Sequence, residues 1–266
     1  MRMFDQLGRK KVMLGMIHLG AMPGTPFYEE GSYEATFEKA LADARALYEG
    51  GADGCLVQTV DRVYVKGDDS DPARVAGVAN IVRAIDQATG PEFQVGVQIM
   101  RNALKASLAV AKVCNGSYLR CGALVGATLT AHGMVEANPH EVLQYRALIG
   151  AQHVKLIAEI ESMHFQWFGG KPVAEVARAA MQVGAAAVSL GSPDEALTLQ
   201  MIRDVKRAVP GLPVILAGYT NHANAARMLA EADGAFVGTC LERDGWAGPI
   251  DVERVREYAA IVRSLG

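Results

Sequence analysis

Several things are scarce or missing in this 266-residue chain, and each removes a class of function. No run of eighteen or more uninterrupted apolar residues occurs, so no membrane-spanning helix is expected. The N-terminus, MRMFDQLGRKKVMLGMIHLG, places charges before an apolar run in the order of a secretory signal, but the run is short and broken by Gly15 and His18. A soluble, cytoplasmic protein is expected. A basic excess is also missing: 26 basic residues are interspersed among 29 acidic ones, the net charge is −3, and no nucleic-acid partner is expected. Cysteine is scarce. Cys55, Cys114, Cys121 and Cys240 form no CxxC pair and no metal-ligand spacing, and most sit in apolar strand-like runs, so they read as small buried hydrophobes.

Nor is there anything that looks like an interdomain linker. What is present is a half-apolar composition in a chain close to the ~250 residues typical of one α/β barrel. Apolar runs over residues 12–17, 54–59, 93–100, 117–121, 153–160, 186–190, 213–217 and 234–237 predict strands, and each is followed by a stretch of helical spacing. Ser32, Asp71 before Pro72, and Asp251 stand as helix N-caps. Eight alternations predict a single (β/α)8 TIM barrel over residues 1–266. An open doubly wound sheet is the runner-up; it would need no eightfold count and would expose edge strands.

In such a barrel, chemistry gathers where strands end, and the loops after the seventh and eighth strands commonly hold phosphate. Gly218 and Gly238 end those strands here, followed by Asn221 and Thr239, and these four are the candidate phosphate-binding residues. Each glycine alone is explained by a tight turn; the pair at adjacent strand ends points modestly to an anion. The glycine-dotted segment over residues 122–140 is long enough to be an active-site loop.

The strand ends also carry His18, Gln58, Gln98, Arg101, Arg120, Ser189 and Ser192. On the fifth strand Lys155, Glu159 and Glu161 share one face by the period of two. A lysine and a carboxylate inside an apolar barrel are costly unless paired, so Lys155 and Glu159 are expected close enough to interact, either as a structural ion pair or as catalytic groups. Lys155, Glu159, Glu161 and His18 are the catalytic candidates. Gln58, Gln98, Arg101, Arg120, Ser192 and the loop histidines His132 and His164 are the substrate-binding ones. Those two histidines with Glu159 and Glu161 could gather a divalent metal, but no HxH or HExxH spacing supports this, and neither metal nor cofactor is expected. Trp167 and Phe168 beside Gly169 and Gly170 suggest an apolar lid or a subunit contact, and methionine and aromatic residues in the loops suggest a homo-oligomer.

The segments GMIHLGAMPGTP, EGGADGCLVQT, VGVQIMRN, GMVEA, VKLIAE and ADGAFVGTCLERDGWAGPIDVERV resemble the BtpA/SgcQ family, among the ribulose-phosphate-binding barrels, over nearly the whole chain. The resemblance implies a barrel that either acts on a small anionic metabolite, a phosphorylated sugar or nucleoside-like compound, by isomerase, lyase or glycosidase chemistry, or serves as a non-catalytic photosystem I biogenesis factor. The chain also departs from the family pattern. Gln58 stands where Glu is usual, Gln98 where Asn is, Gly122 where a polar residue is, and Glu159 and Glu161 where Asp and His are expected. Gly218, Tyr219 and Thr220 replace a Gly-Ser-Gly turn, which puts tyrosine bulk near the anion position and shifts the expected phosphate contacts toward Gly238 and Thr239.

Overall fold

Strands β1 (Val12–Leu19), β2 (Gly54–Thr59), β3 (Gln94–Gln98) and β4 (Tyr118–Cys121) alternate with helices α1 (Ser32–Gly50), α2 (Pro72–Ala88) and α3 (Leu104–Val113) in the computed structural model, which describes residues 10–265. The charged lead of the signal-like N-terminus, residues 1–9, lies outside the described residues. A short hairpin of β5 (Ala127–Thr130) and β6 (Gly133–Glu136) precedes α4 (Pro139–Leu148). The alternation then resumes through β7 (Lys155–Glu161), α5 (Val173–Gln182), β8 (Ala187–Leu190), α6 (Glu195–Ala208), β9 (Val214–Leu216), α7 (Ala225–Glu231), β10 (Gly234–Val237) and α8 (Val252–Arg263).

All strands but the hairpin close into one parallel barrel in the order β1-β10-β9-β8-β7-β4-β3-β2. Closure removes the edges that an open sheet would expose, and the doubly wound alternative falls with it. The helices start where local chemistry dictates. Asp71 accepts from the Ala73 amide with Pro72 at the first helical position, and Asp251 accepts from the amides of Glu253 and Arg254. Ser32 is not the cap of α1: Gly31, left-handed at φ 81°, holds that position, and no side chain caps it.

Inside the barrel, Val12, Leu14, Met16, Leu56, Tyr118, Ile157, Ala187, Ile215 and Phe236 form one buried cluster. Large and small residues fit across it. A Cβ on Gly96 would occupy the Tyr118 ring, and the Tyr118 hydroxyl reaches the Cys55 carbonyl at 2.8 Å. A packed floor of this kind stabilises by ~1.5–3 kcal/mol for each fully buried large apolar side chain and blocks passage through the barrel.

The segment after β4 is not the structureless loop expected. Its hairpin turns at Gly133, φ 106°, with Thr130 Oγ1 donating to the Gly133 carbonyl at 2.8 Å. It braces the loop after β7: the Phe168 amide donates to the Ala127 carbonyl at 2.8 Å, the Gln166 amide to Thr128 Oγ1 at 3.1 Å, and a Cβ on Gly126 would enter the Trp167 ring.

Candidate active site

Side chains of a strand alternate between faces, so the residues two positions beyond the apolar floor form the next layer of the barrel toward the strand C-termini. That layer reads His18, Gln58, Gln98, Arg120, Glu159, Ser189, Ala217 and Gly238 around the ring, polar almost throughout where the layer beneath is apolar. Above it opens a cavity of about 850 Å³, lined among others by His18, Gln58, Arg120, His164, Gly218, Tyr219, Asn221, Gly238, Thr239 and Trp246.

The centre of the layer is an ion pair. Arg120 Nη2 donates to Glu159 Oε1 at 2.6 Å, with the arginine side chain 3% exposed and the glutamate fully buried. The guanidinium carbon lies 4.9 Å from the centroid of the Phe236 ring below, a cation–π seat that holds the guanidinium plane at the floor. Ser162 Oγ adds a 2.5 Å hydrogen bond to the same carboxylate oxygen. Burial pushes the Glu159 carboxyl up, but Arg120, with smaller contributions from His164 and the Ser162 hydroxyl, outweighs it and holds the group below the usual carboxylate range, so it is ionised. Gln58 Nε2 donates to Gln98 Oε1 at 2.7 Å. Among the described residues, Gln98 Nε2, Arg120 Nε, Glu159 Oε2 and Ser189 Oγ are buried without a hydrogen-bond partner. Leaving one such group unsatisfied costs ~1–3 kcal/mol, so these four atoms make the layer costly to the fold, and of their residues Arg120 reaches the cavity lining.

Loops complete the walls. Gly218, at φ 121°, takes a backbone conformation that side-chain-bearing residues rarely adopt, and a Cβ there would meet nothing within 4 Å. The Tyr219 ring turns toward Gly191, approaching a Cβ built there to 3.3 Å, and the residue lines the cavity beside Gly218. Thr239 opens a single 3-10 turn, Thr239–Leu241, beside Gly238. Asn221 borders the cavity, but its Oδ1 is turned back on its own chain, accepting from the amides of Ala223 at 2.9 Å and Asn224 at 3.3 Å. His164 lines the mouth, and burial, helped by Arg120, Arg101 and His18, lowers its pKa to about 4, so it is neutral at pH 7.

Other expected site residues lie elsewhere. Lys155 begins β7 at the N-terminal end, with Ile157 between it and Glu159 in the barrel layers; the partner of Glu159 is Arg120, and the expected Lys155–Glu159 contact is not made. Glu161 follows a register shift in β7 that takes it out of the cavity lining; burial raises its pKa and Gln166 is its hydrogen-bond partner. Arg101 stands behind the wall, its guanidinium 3.3 Å from both Nδ1 and the carbonyl of His164. His132 backs the wall as well, 3.1 Å from the Arg62 carbonyl and edge-on to Tyr64, which lines the cavity. Ser192 Oγ accepts from the Asp194 amide at 3.2 Å in the turn before α6. His132 and Glu161 therefore do not converge with Glu159 and His164, and no group of three His, Cys, Asp or Glu residues able to hold a metal occurs among the described residues.

Two residues around His18 escaped the sequence reading, Trp246 on the cavity wall and Glu242 behind it. Glu242 accepts from His18 at 3.1 Å, and the Trp246 ring lies 5.5 Å from that of His18. A closed barrel sets its first strand beside its last, so the end of β1 must meet the loop after β10; that signal was in the sequence, inside the LERDGW stretch.

A model of the BtpA family matches residues 9–264. The chain belongs to the BtpA family. Similar proteins include an uncharacterized protein of Archaeoglobus fulgidus, 29% identical over 93% of this chain and 96% of that one. Another is the photosystem I biogenesis protein BtpA of Synechocystis, 26% identical over 92% of this chain and 85% of that one. Among solved structures, thiamine phosphate pyrophosphorylase from Pyrococcus furiosus superposes with a TM-score of 0.59 at 19% identity, covering 97% of this chain and 98% of that one. Tryptophan synthase of Mycobacterium tuberculosis superposes at 0.64 and 20%, covering 96% and 94%. These enzymes share the barrel with this BtpA-family chain, and at such identity they speak for the fold alone.

Proposed function

We propose that this BtpA-family chain is an enzyme that binds a small phosphorylated sugar or nucleoside-like metabolite at the C-terminal mouth of its barrel. The observation that carries the reading is the polar layer on an apolar floor beneath an open cavity: a buried, ionised Arg120–Glu159 pair, from which Arg120 reaches the cavity lining beside His18 and Gln58. The phosphate sits against Gly218, Gly238 and Thr239, the loops after the last two barrel strands, and the reacting end lies over the layer. Arg120 then stabilises negative charge developing on a substrate oxygen, as fixed donors in a water-poor site do. Isomerase, lyase and glycosidase chemistry are all compatible with that arrangement. The protein is expected in the cytoplasm. Exposed Leu129, Met163 and Phe168 near the mouth support self-association, which light scattering at micromolar concentration checks.

A thermal-shift screen of sugar phosphates and nucleotides tests the reading. A ligand at about a hundred times its Kd stabilises by ~2.7 kcal/mol, a rise of several degrees for a chain of this size. A response that disappears in Gly238→Val supports the site, whereas indifference to every phosphorylated metabolite, together with copurification in a larger assembly, favours a biogenesis role instead.

A further inference from the structure

We propose that Glu242 is a positioning residue that fixes His18 as the acid–base group of the mouth; the inference rests on the enzyme reading above. His18 continues the inward face of β1 beyond Val12, Leu14 and Met16, so its ring borders the cavity. Its Nδ1 lies 3.1 Å from Glu242 Oε1, and the Glu242 side chain is 2% exposed. The carboxylate is itself held: its other oxygen accepts from the Ala247 amide at 2.9 Å, the Glu242 carbonyl accepts from Arg254, and the residue bridges to Ile250 across the loop. An ionised carboxylate only accepts, so Nδ1 carries the ring proton and the lone pair is on Nε2, across the ring from Glu242. No protein partner of Nε2 occurs among the described residues. Trp246 leans over the ring at 43°, and Gly238 spares it crowding, since a Cβ there would stand 3.4 Å from Cε1. Local turn chemistry does not demand this arrangement. The contact spans 224 positions of sequence, and it joins a group able to take a proton to a buried carboxylate able to balance the resulting charge.

The step is a proton transfer. Nε2 takes a proton from a carbon or hydroxyl of the bound substrate, the electron pair stays on the substrate as an anion facing Arg120, and the imidazolium is balanced by Glu242. The same Nε2–H then returns the proton to another substrate atom, so no co-reactant is consumed.

Long-range proton–nitrogen correlation spectra of protein labelled at histidine nitrogen, taken without ligand at pH 8, test the assignment, with His18→Asn identifying the resonances. The expected result is the Nδ1–H tautomer of His18, favoured roughly tenfold or more by a charge-assisted hydrogen bond. In Glu242→Gln, whose amide can donate as well as accept, that preference collapses toward parity while melting stays cooperative. An Nε2–H tautomer in the unmodified protein overturns the proposal, as does an unchanged preference in Glu242→Gln. Should that variant fail to fold, the spectrum of the unmodified protein decides alone. Because the tautomer is read without substrate, a silent thermal-shift screen would remove the enzyme reading while the His18 orientation stood, and the two failures stay distinct.

Discussion

Replacing His164 by Asn should flatten the acid side of the stability profile. His164 follows β7, its Nδ1 is 3.3 Å from Arg101 Nη1, and burial with the nearby Arg120 and Arg101 charges lowers its pKa to about 4. In the unfolded chain a histidine titrates near ~6.5. Above that pH both states carry a neutral ring, and the contribution of the folded environment is fully present. As the pH falls from about 6.5 toward 4 the unfolded chain takes up a proton that the folded chain refuses, so stability falls with pH across this window and levels off below it. At ~1.36 kcal/mol per pH unit the window is worth about 3 kcal/mol. Asn keeps an acceptor for Arg101 near the Nδ1 position and cannot titrate. Urea unfolding at pH 7.5 and pH 4.0 for both proteins isolates the effect, because carboxylates elsewhere are common to both. The loss on acidification should be about 3 kcal/mol larger with histidine than with asparagine. Parallel losses would show that His164 is solvated enough to titrate normally, and the neutral wall assigned to it would be wrong.

Glu159→Gln leaves the Arg120 cation buried without its counter-charge and should cost ~3–5 kcal/mol, seen as a melting temperature lower by roughly 10 °C; an unchanged value would mean that Arg120 finds another acceptor. Gly218→Ala places a Cβ in open space but at φ 121°, so a loss of ~1–3 kcal/mol from backbone strain is expected, with a weaker thermal-shift response to phosphate esters; equal melting would remove the strain argument. Lys155→Met should change stability by less than ~1 kcal/mol and leave any ligand response intact, since the residue starts β7 at the far end from the mouth; a lost response at unchanged stability would return Lys155 to the mechanism.

The face on which each residue lies was legible, and the neighbour it meets there was not. His18, Gln58, Gln98, Arg120, Glu159 and Ser189 fall in one layer because alternation fixes a strand's faces before any tertiary contact is known. Lys155 was matched to Glu159 because both lie on the same strand, yet four residues along a strand span ~13 Å, whereas neighbouring strands lie ~4.8 Å apart; Arg120 on the adjacent β4 wins by geometry. Glu161 escaped the alternation rule because a register shift in β7 intervenes, and no residue in KLIAEIE announces one. The β5–β6 hairpin was missed because strands of four residues, beside several glycines, carry too little periodicity to stand out from a loop.

The biogenesis name of the Synechocystis relative and the enzyme reading need not compete on sequence identity, which is too low to carry either. What separates them is energetic. A barrel kept only for its outer surface gains by replacing a buried ion pair and unpartnered polar groups with packed apolar side chains, a change that is often neutral or stabilising by ~1–4 kcal/mol. This chain has an apolar floor of that kind one layer below, so the fold accepts such packing. One layer up it instead keeps Arg120, Glu159, Gln98 and Ser189, each with a buried atom lacking a hydrogen-bond partner, and it holds His18 on Glu242 across the closure of the barrel. Of these, Arg120 and His18 reach the cavity lining, where a bound group can engage them. Filling the layer by Glu159→Leu with Arg120→Met should accordingly raise the melting temperature while abolishing any ligand response; a double variant that melts lower would show the pair to be structural after all.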